Sequence, residues 1–185
     1  IALMNCFLAN YDLSEEGVDV IIHSGSSYTG ILVVGRDQHI FFREIDKGND
    51  VFIREVMSSK KLNYSDASDL VLENGVNYSA NNQNEPSAET SGIEMTDRNI
   101  INDLCDDIRK TLRYYLKNNG NTYFKRFYIS GGMAHLKGYK EQIEDSLKIS
   151  TENLNPFNKM ETNNLPDNFM QYTVATGLAI RGLIK

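Results

Sequence analysis

The sequence lacks any apolar run long enough to form a membrane-spanning helix. Its longest apolar stretches, such as residues 31–34, fall far short of the roughly 20 apolar residues that cross a bilayer. No signal peptide is visible at the start of the sequence. We therefore expect no direct membrane insertion, and we expect any membrane contact to go through a partner.

Clusters of lysine and arginine are also missing. The net charge is -6, and the basic residues are spread along the chain rather than gathered in one segment. Binding to a phosphate backbone needs a concentrated basic face. The sequence therefore argues against a nucleic-acid partner.

Cysteine is scarce, with two residues at positions 6 and 105. Both lie in apolar helical patterns, and their spacing is not that of a metal site. We interpret them as small buried thiols in a reducing compartment.

What the sequence does contain is typical of a globular protein. Its 185 residues, 41% of them hydrophobic and 24% charged, suffice for one good-sized core or for two small lobes that share one. Residues 74–91 are almost free of apolar side chains and predict a mobile polar loop. Ile1 is not an initiator residue, so we expect this chain to be part of a longer protein.

Hydrophobic periodicity predicts a mixed sheet flanked by helices. Three strands at 18–23, 29–35 and 39–46 predict an antiparallel meander, followed by a strand–helix–strand–helix order. Ser65 is a candidate N-cap for a helix at 65–72, and Thr96 is one for a long amphipathic helix. The predicted helices cover residues 1–11, 51–58, 65–72, 100–116, 136–147 and 168–183, and the last two strands cover 125–129 and 149–154.

The segment YISGGMAHL at 128–136 carries the strongest local signal. An apolar strand runs directly into Gly131 and Gly132, and a helical pattern follows. Bare backbone beside a helix N-terminus lets flat or anionic ligand groups approach closely. A tight strand-to-helix turn with no ligand is the alternative interpretation.

A second glycine-containing loop, HSGSSYT at 23–29, lies in the first hairpin of the meander. It resembles the second phosphate loop of the actin, sugar kinase and Hsp70 superfamily, where short side chains leave backbone N–H groups free for oxyanions. The segment ISGGMAH at 129–135 resembles the adenosine motif of that superfamily, and QYTVATGLA at 171–179 resembles its second connecting helix. The resemblance implies an actin-like ATPase (RNase H-like) fold of the mixed α/β class.

Within the superfamily, the chain resembles the PilM family of FtsA-like cytoplasmic proteins in type IV pilus assembly. The segments FREI at 42–45 and KGND at 47–50 carry this likeness, with DIRKTLRYY at 107–115 and NPF at 155–157. The resemblance implies that residues 1–11 end a connecting helix from a first domain outside this sequence. Residues 12–185 would form the second domain, with an inserted subdomain around 50–118.

The resemblance also implies a nucleotide site for ATP or ADP. The residues expected at the phosphates are Gly25, Ser26 and Ser27. Those expected at the adenosine are Gly131, Gly132, Met133 and His135. Those expected at the ribose and adenine, on one side of the long helix, are Asp106, Arg109 and Lys110. For this last group, a solvated helix face with weak ion pairs is the alternative.

His23 is the main departure from the superfamily, which normally carries an aspartate there to orient a magnesium-bound water. A neutral imidazole supplies no anionic anchor, and a protonated one would repel the metal. Tyr28 is also bulkier than the expected Thr or Ser. We therefore expect a weak or degenerate nucleotide site, no bound Mg²⁺ and little hydrolysis, with no catalytic residue in this chain.

The resemblance implies a cytoplasmic scaffold, peripheral at the inner membrane. Its partners would be a membrane-anchored PilN-like protein, docked through the first domain, and other pilus platform or motor proteins. Two alternatives stay open. One is a true ATPase or phosphotransferase with catalytic groups in the first domain, and the other is an FtsA-like cell-division or secretion-system relative.

Overall fold

The computed structural model describes residues 1–36, 40–76, 100–120, 122–161 and 164–183. Most of the polar segment predicted at 74–91, and the candidate cap Thr96, lie outside these residues. The helices are α1 (Ala2–Asn10), α2 (Asn49–Lys60), α3 (Tyr64–Asn74), α4 (Ile100–Asn118), α5 (Tyr139–Leu147) and α6 (Thr173–Leu183). The strands are β1 (Val18–Ser24), β2 (Thr29–Val34), β3 (Ile40–Ile45), β4 (Phe124–Ser130) and β5 (Glu152–Asn153).

The five strands form one mixed sheet in the order β3-β2-β1-β4-β5. The meander β1–β2–β3 is antiparallel, whereas β4 pairs parallel to β1 and β5 pairs parallel to β4. This arrangement confirms the predicted meander and the α/β class. The strand predicted at 149–154 is much shorter, because only residues 152 and 153 pair with β4.

Both faces of the sheet are covered, which explains why the buried residues of the central strands are mostly apolar. Alternate residues of β1 point to opposite sides: Val20 and Ile22 join a large core with α2, α3, α4 and α5, whereas Ile21 joins a smaller core with α1. All six residues of β2 are buried. The edge strand β3 is mostly exposed.

Helices α1 and α6 pack against each other. Gly177 lies so close to α1 that a Cβ at this position would fall 1.9 Å from the backbone oxygen of Ala2. Gly177 is therefore the residue that permits this close approach. At Gly182, on the same helix, an added Cβ would meet nothing within 4 Å.

Helix α4 confirms the predicted amphipathic pattern. Its buried side chains recur at three- and four-residue steps and include Leu104, Cys105 and Ile108. Cys6 and Cys105 are both free and buried, as predicted. Burial raises the pKa of the Cys6 thiol to about 12.

Three predicted helix starts were wrong. Asn63, not Ser65, caps α3, because its side chain accepts a hydrogen bond of 2.9 Å from the N–H of Asp66. The helix expected from residue 136 begins at Tyr139, after a 3₁₀ turn (Gly132–His135) and the left-handed Gly138. The last helix is also preceded by a 3₁₀ turn, Phe169–Tyr172.

Candidate functional site

The two glycine-containing loops meet at the carboxyl ends of β1 and β4. These strands are neighbours and parallel, with His23 opposite Ser130. Gly131 adopts φ 91° and ψ 178°, and a Cβ there would lie 2.3 Å from the backbone oxygen of Ser24. Ligands of open α/β sheets bind at the carboxyl ends of strands. The structure therefore brings the turn directly against the base of the hairpin.

The loop of the hairpin is attached to the first turn of α2. The carbonyl oxygens of Gly25 and Ser26 accept hydrogen bonds from the N–H groups of Asn49 (3.0 Å) and Asp50 (2.8 Å). Gly48 permits this approach, because a Cβ there would lie 2.4 Å from the Ser26 oxygen. The sequence predicted that residues 47–50 start a helix, but it did not show that the hairpin caps that helix.

The opposite side of this loop is open. Ser26 and Ser27 are exposed, and their backbone N–H groups donate to no other residue in the described part of the chain. The Ser26 hydroxyl donates to Oδ1 of Asp50 over 2.8 Å. Because the carbonyls face α2, the N–H groups are the polar backbone atoms left for an anionic ligand.

Buried hydroxyls hold the base of the hairpin in place. Ser24 Oγ lies 2.5 Å from the hydroxyl of Tyr139 and 3.1 Å from Thr29 Oγ1, and Thr29 Oγ1 donates to the Lys47 carbonyl over 2.8 Å. Burial raises the pKa of Tyr139, so this phenol stays protonated. The hairpin is therefore joined to α5 and to the turn before α2.

The four candidate adenosine residues have different environments. Met133 is buried in the large core, so it supports the turn rather than presenting a side chain to a ligand. Gly132 is exposed, and an added Cβ would meet nothing within 4 Å. His135 is half-buried beside Phe169, with ring centroids 6.4 Å apart.

His135 has a nitrogen that is buried without a partner. No described atom hydrogen-bonds its Nε2, and burial lowers the pKa of the ring, although a hydrogen bond with the backbone of Asn168 opposes this. A buried polar atom without a partner costs free energy unless a ligand or water satisfies it.

The three candidate residues on α4 divide into two groups. Asp106 contacts Arg109, whose Nη2 also donates to the carbonyl of Ser146 at the end of α5. Lys110 instead pairs with Asp107 at 3.0 Å, and Asp107 also pairs with Lys47 at 2.6 Å. Of the two groups, only the pair of Lys110 and Asp107 is connected to the turn before α2, through Lys47.

Asp107 and Lys47 were missed by the sequence reasoning. The hydrogen bond from Lys47 holds the pKa of Asp107 below its usual value, with a further contribution from Lys110. A basic residue before a Gly-Asn-Asp turn and an acidic residue on a distant helix carry no local signal that they pair. The helix positions 106, 109 and 110 remain predicted ligand residues, to which no contact here assigns that role.

His23 lines a cleft of about 480 Å³ on the α1 and α6 side of the sheet. Tyr28, Gly30 and Glu44 line the same cleft, with Val174 of α6. A larger cleft of about 640 Å³ lies at the amino ends of β1 and β4 and mixes acidic and basic side chains. The smaller cleft is lined by His23 and Tyr28 from the two ends of the hairpin loop and by no residue of the turn at 131–135.

The described residues contain no group of three or more His, Cys, Asp and Glu side chains able to hold a metal ion. Asp50 lies beside Ser26, but its Oδ1 already accepts hydrogen bonds from Ser26 and from the Tyr64 hydroxyl.

Among the described residues, no helix is long and apolar enough to cross a membrane.

Solved structures define the class of protein. The chain is similar to the archaeal actin homolog Ta0583 in complex with ADP, at 15% identity, with a TM-score of 0.59 over 100% of this chain and 55% of that one. MreB 5 of Spiroplasma citri bound to AMPPNP is similar at 14% identity, with a TM-score of 0.58 over 97% and 56%. The fold is therefore actin-like, as predicted.

A third structure and a family model narrow the class. A PilM–PilN type IV pilus biogenesis complex matches with a TM-score of 0.76 and 19% identity, over 100% of this chain and 51% of that one. The family model for type IV pilus assembly protein PilM matches residues 2–183. This chain belongs to the PilM family. It spans about half the length of the structures that it matches. No curated protein matches it.

Proposed function

We propose that this chain is the nucleotide-facing half of a scaffold protein in type IV pilus assembly. The other half of the cleft would come from a first domain that precedes it. ATP or ADP would act as a structural ligand or as a switch between the domains, with little hydrolysis. The membrane-anchored partner would be PilN-like, which would place the protein on the cytoplasmic side of the inner membrane.

One observation carries the nucleotide part of this proposal. The hairpin turns its carbonyls towards α2 and keeps the N–H groups of Ser26 and Ser27 available, while Gly131 lies against the hairpin base. Two adjoining loops would therefore contact the nucleotide, the hairpin at its phosphates and the turn at its adenosine. Structures of the same fold contain ADP or AMPPNP, which agrees with this assignment.

The proposal of a PilN-like partner rests on family membership and on the PilM–PilN complex that the chain resembles. Co-purification of the full-length protein with a PilN-like cytoplasmic segment tests it. Binding is expected to survive changes in residues 25–27, since the proposed contact is on the first domain. Loss of binding on those changes alone would place the partner on this half instead.

Isothermal titration of the full-length protein with ATP tests the ligand claim. We expect saturable heat, and we expect Gly131→Val to abolish it, because the β-branched side chain would push the turn away from Ser24. The absence of heat at any ATP concentration, with and without Mg²⁺, would refute the proposed nucleotide function.

The alternative is a true ATPase with its catalytic groups in the first domain. Steady-state phosphate release distinguishes the two hypotheses. Turnover of many ATP molecules per protein, abolished by a change in that first domain, would favour the enzyme. Saturable binding without turnover would favour the scaffold.

A further inference from the structure

Tyr139, the first residue of α5, holds the base of the hairpin by its side chain. Its ring belongs to the large core, and both Tyr139 and Ser24 are fully buried. Their hydroxyl oxygens are 2.5 Å apart. Because water does not reach either residue, each hydroxyl supplies the other with a hydrogen-bond partner in place of water.

The segment that carries Tyr139 contacts Ser24 at a second point. A Cβ on Gly131 would lie 2.3 Å from the backbone oxygen of Ser24, so the turn lies directly against β1. Backbone hydrogen bonds of 3.0–3.2 Å connect the two points, with N–H donating to carbonyl from Ala134 to Gly131, from Leu136 to Met133 and from Tyr139 to Leu136. Residues 131–139 therefore contact Ser24 as one unit, through both its backbone and its side chain.

Ser24 is also connected to the other strand of the hairpin. Ser24 and Thr29 are cross-strand partners, and their side-chain oxygens are 3.1 Å apart. The loop between them is closed by a hydrogen bond of 2.9 Å from the N–H of Gly25 to the carbonyl of Tyr28. A shift of Ser24 is therefore passed on to the N–H groups of residues 26 and 27, which lie inside this closed loop.

We propose that Tyr139 is a positioning residue for nucleotide phosphates, because its hydroxyl sets the distance between the turn at 131–135 and the hairpin. The inference rests on the proposed nucleotide function and deepens it. Buried Tyr139 acts through Ser24 and not by contact with the ligand. A ligand with both adenosine and phosphates depends on this distance, whereas adenosine alone uses only the turn.

Two titrations of the full-length protein measure these contacts separately. Calorimetry gives the affinity for ATP, and competition against ATP gives the affinity for adenosine. Tyr139→Phe removes only the hydroxyl and keeps the ring in the core. Tyr128→Phe is the matched control, since Tyr128 is also buried but belongs to the smaller core on the other face of the sheet. Circular dichroism at the titration temperature checks that each variant is folded.

We expect Tyr139→Phe to weaken ATP binding by roughly two- to tenfold, the range that one hydrogen bond supplies, and to leave the affinity for adenosine unchanged. Tyr128→Phe should change neither affinity. Ser24→Ala removes the other hydroxyl of the pair and should also weaken ATP binding. Because the two hydroxyls act together, the loss in the double variant should be smaller than the product of the two separate losses.

The outcomes separate the two proposals. If neither ATP nor adenosine binds the wild-type protein, the proposed nucleotide function fails and takes this inference with it. If ATP binds and Tyr139→Phe leaves its affinity unchanged, or weakens adenosine by the same factor, nucleotide binding stands and the role of Tyr139 is refuted. Adenosine that does not compete with ATP would also refute this role, since the turn would then hold no adenosine.

Hydrogen exchange of the wild-type protein provides a test that needs no variant, and it decides the question even if Tyr139→Phe does not fold. ATP should slow amide exchange in the hairpin and also in the first turn of α5, which is linked to the hairpin through Tyr139. Adenosine should slow exchange in the turn at 131–135 and leave the hairpin unchanged. Protection of the hairpin by ATP without any change in α5 would show that Tyr139 does not link the two.

Discussion

Replacing Gly131 by alanine tests the contact between the two glycine loops most directly. Gly131 has φ 91° and ψ 178°, a backbone conformation that is essentially restricted to glycine. The strain of placing alanine there is roughly 1–3 kcal/mol. Its Cβ would also lie 2.3 Å from the Ser24 oxygen, so the backbone of β1 or of the turn must move.

That movement has a further cost. The N–H of Gly131 donates to the carbonyl of Met170 over 3.1 Å, and losing this hydrogen bond adds about 0.5–1.5 kcal/mol. We therefore expect Gly131→Ala to lower the free energy of unfolding by about 1.5–4.5 kcal/mol, the sum of the two. Gly132→Ala is the matched control, because its Cβ would meet nothing within 4 Å and the expected change is within about 0.5 kcal/mol.

Urea unfolding followed by far-UV circular dichroism gives both free energies, and the ATP titration described above gives the affinities. Gly131→Ala should also weaken ATP binding, since the displaced turn no longer adjoins the hairpin. Equal destabilisation by the two variants would show that Gly131 does not lie against Ser24. Gly131 would then not join the two glycine loops into one site.

Three further predictions concern buried groups of the fold. Asp19 is fully buried and accepts hydrogen bonds from Arg126 and Ser14; burial alone would raise its pKa, but these hydrogen bonds outweigh burial and lower it. Ionised Asp19 therefore raises the free energy of unfolding above its unfolded-state pKa near 4, and this contribution is lost as the pH falls through the lower folded-state pKa. Because Asp19→Asn removes the titrating group, acid unfolding of this variant should show a shallower pH dependence in that range. Tyr139→Phe should cost about 1–3 kcal/mol in urea unfolding by leaving Ser24 with one fewer partner, and a change below 0.3 kcal/mol would contradict that contact. Cys6 and Cys105 should resist a thiol reagent in the native protein and react fully in urea; rapid native labelling would show that they are not buried.

The fold was predictable because its signals are local. β-Branched and aromatic runs specify β1, β2 and β4, and a three-to-four-residue apolar repeat specifies α4. The order of these elements, with the two glycine loops between them, also carried the resemblance to the actin-like class. Each of these features arises from residues that are close together in the sequence, so it can be recognised before the fold is known.

The contacts that build the site were not predictable in the same way. Lys47 and Asp107 are 60 positions apart, and nothing near either residue indicates that they pair. The choice of Asn63 over Ser65 as a cap depends on which residue adopts the extended backbone, since both side chains can cap a helix. The buried hydrogen bond between Ser130 of β4 and Thr173 of α6 likewise joins residues 43 positions apart.

The hydrogen bonds between the hairpin and α2 have a mechanical consequence. Gly25 and Ser26 occupy two N–H groups of the first turn of α2, so that helix end is not itself an anion site. A ligand that displaces the loop must either carry α2 along as one rigid body or break two hydrogen bonds, at a cost of about 1–3 kcal/mol. Helix α2 packs against α3. We therefore expect the hairpin, the first turn of α2 and the α3 helix packed against it to move as one unit if the loop moves at all.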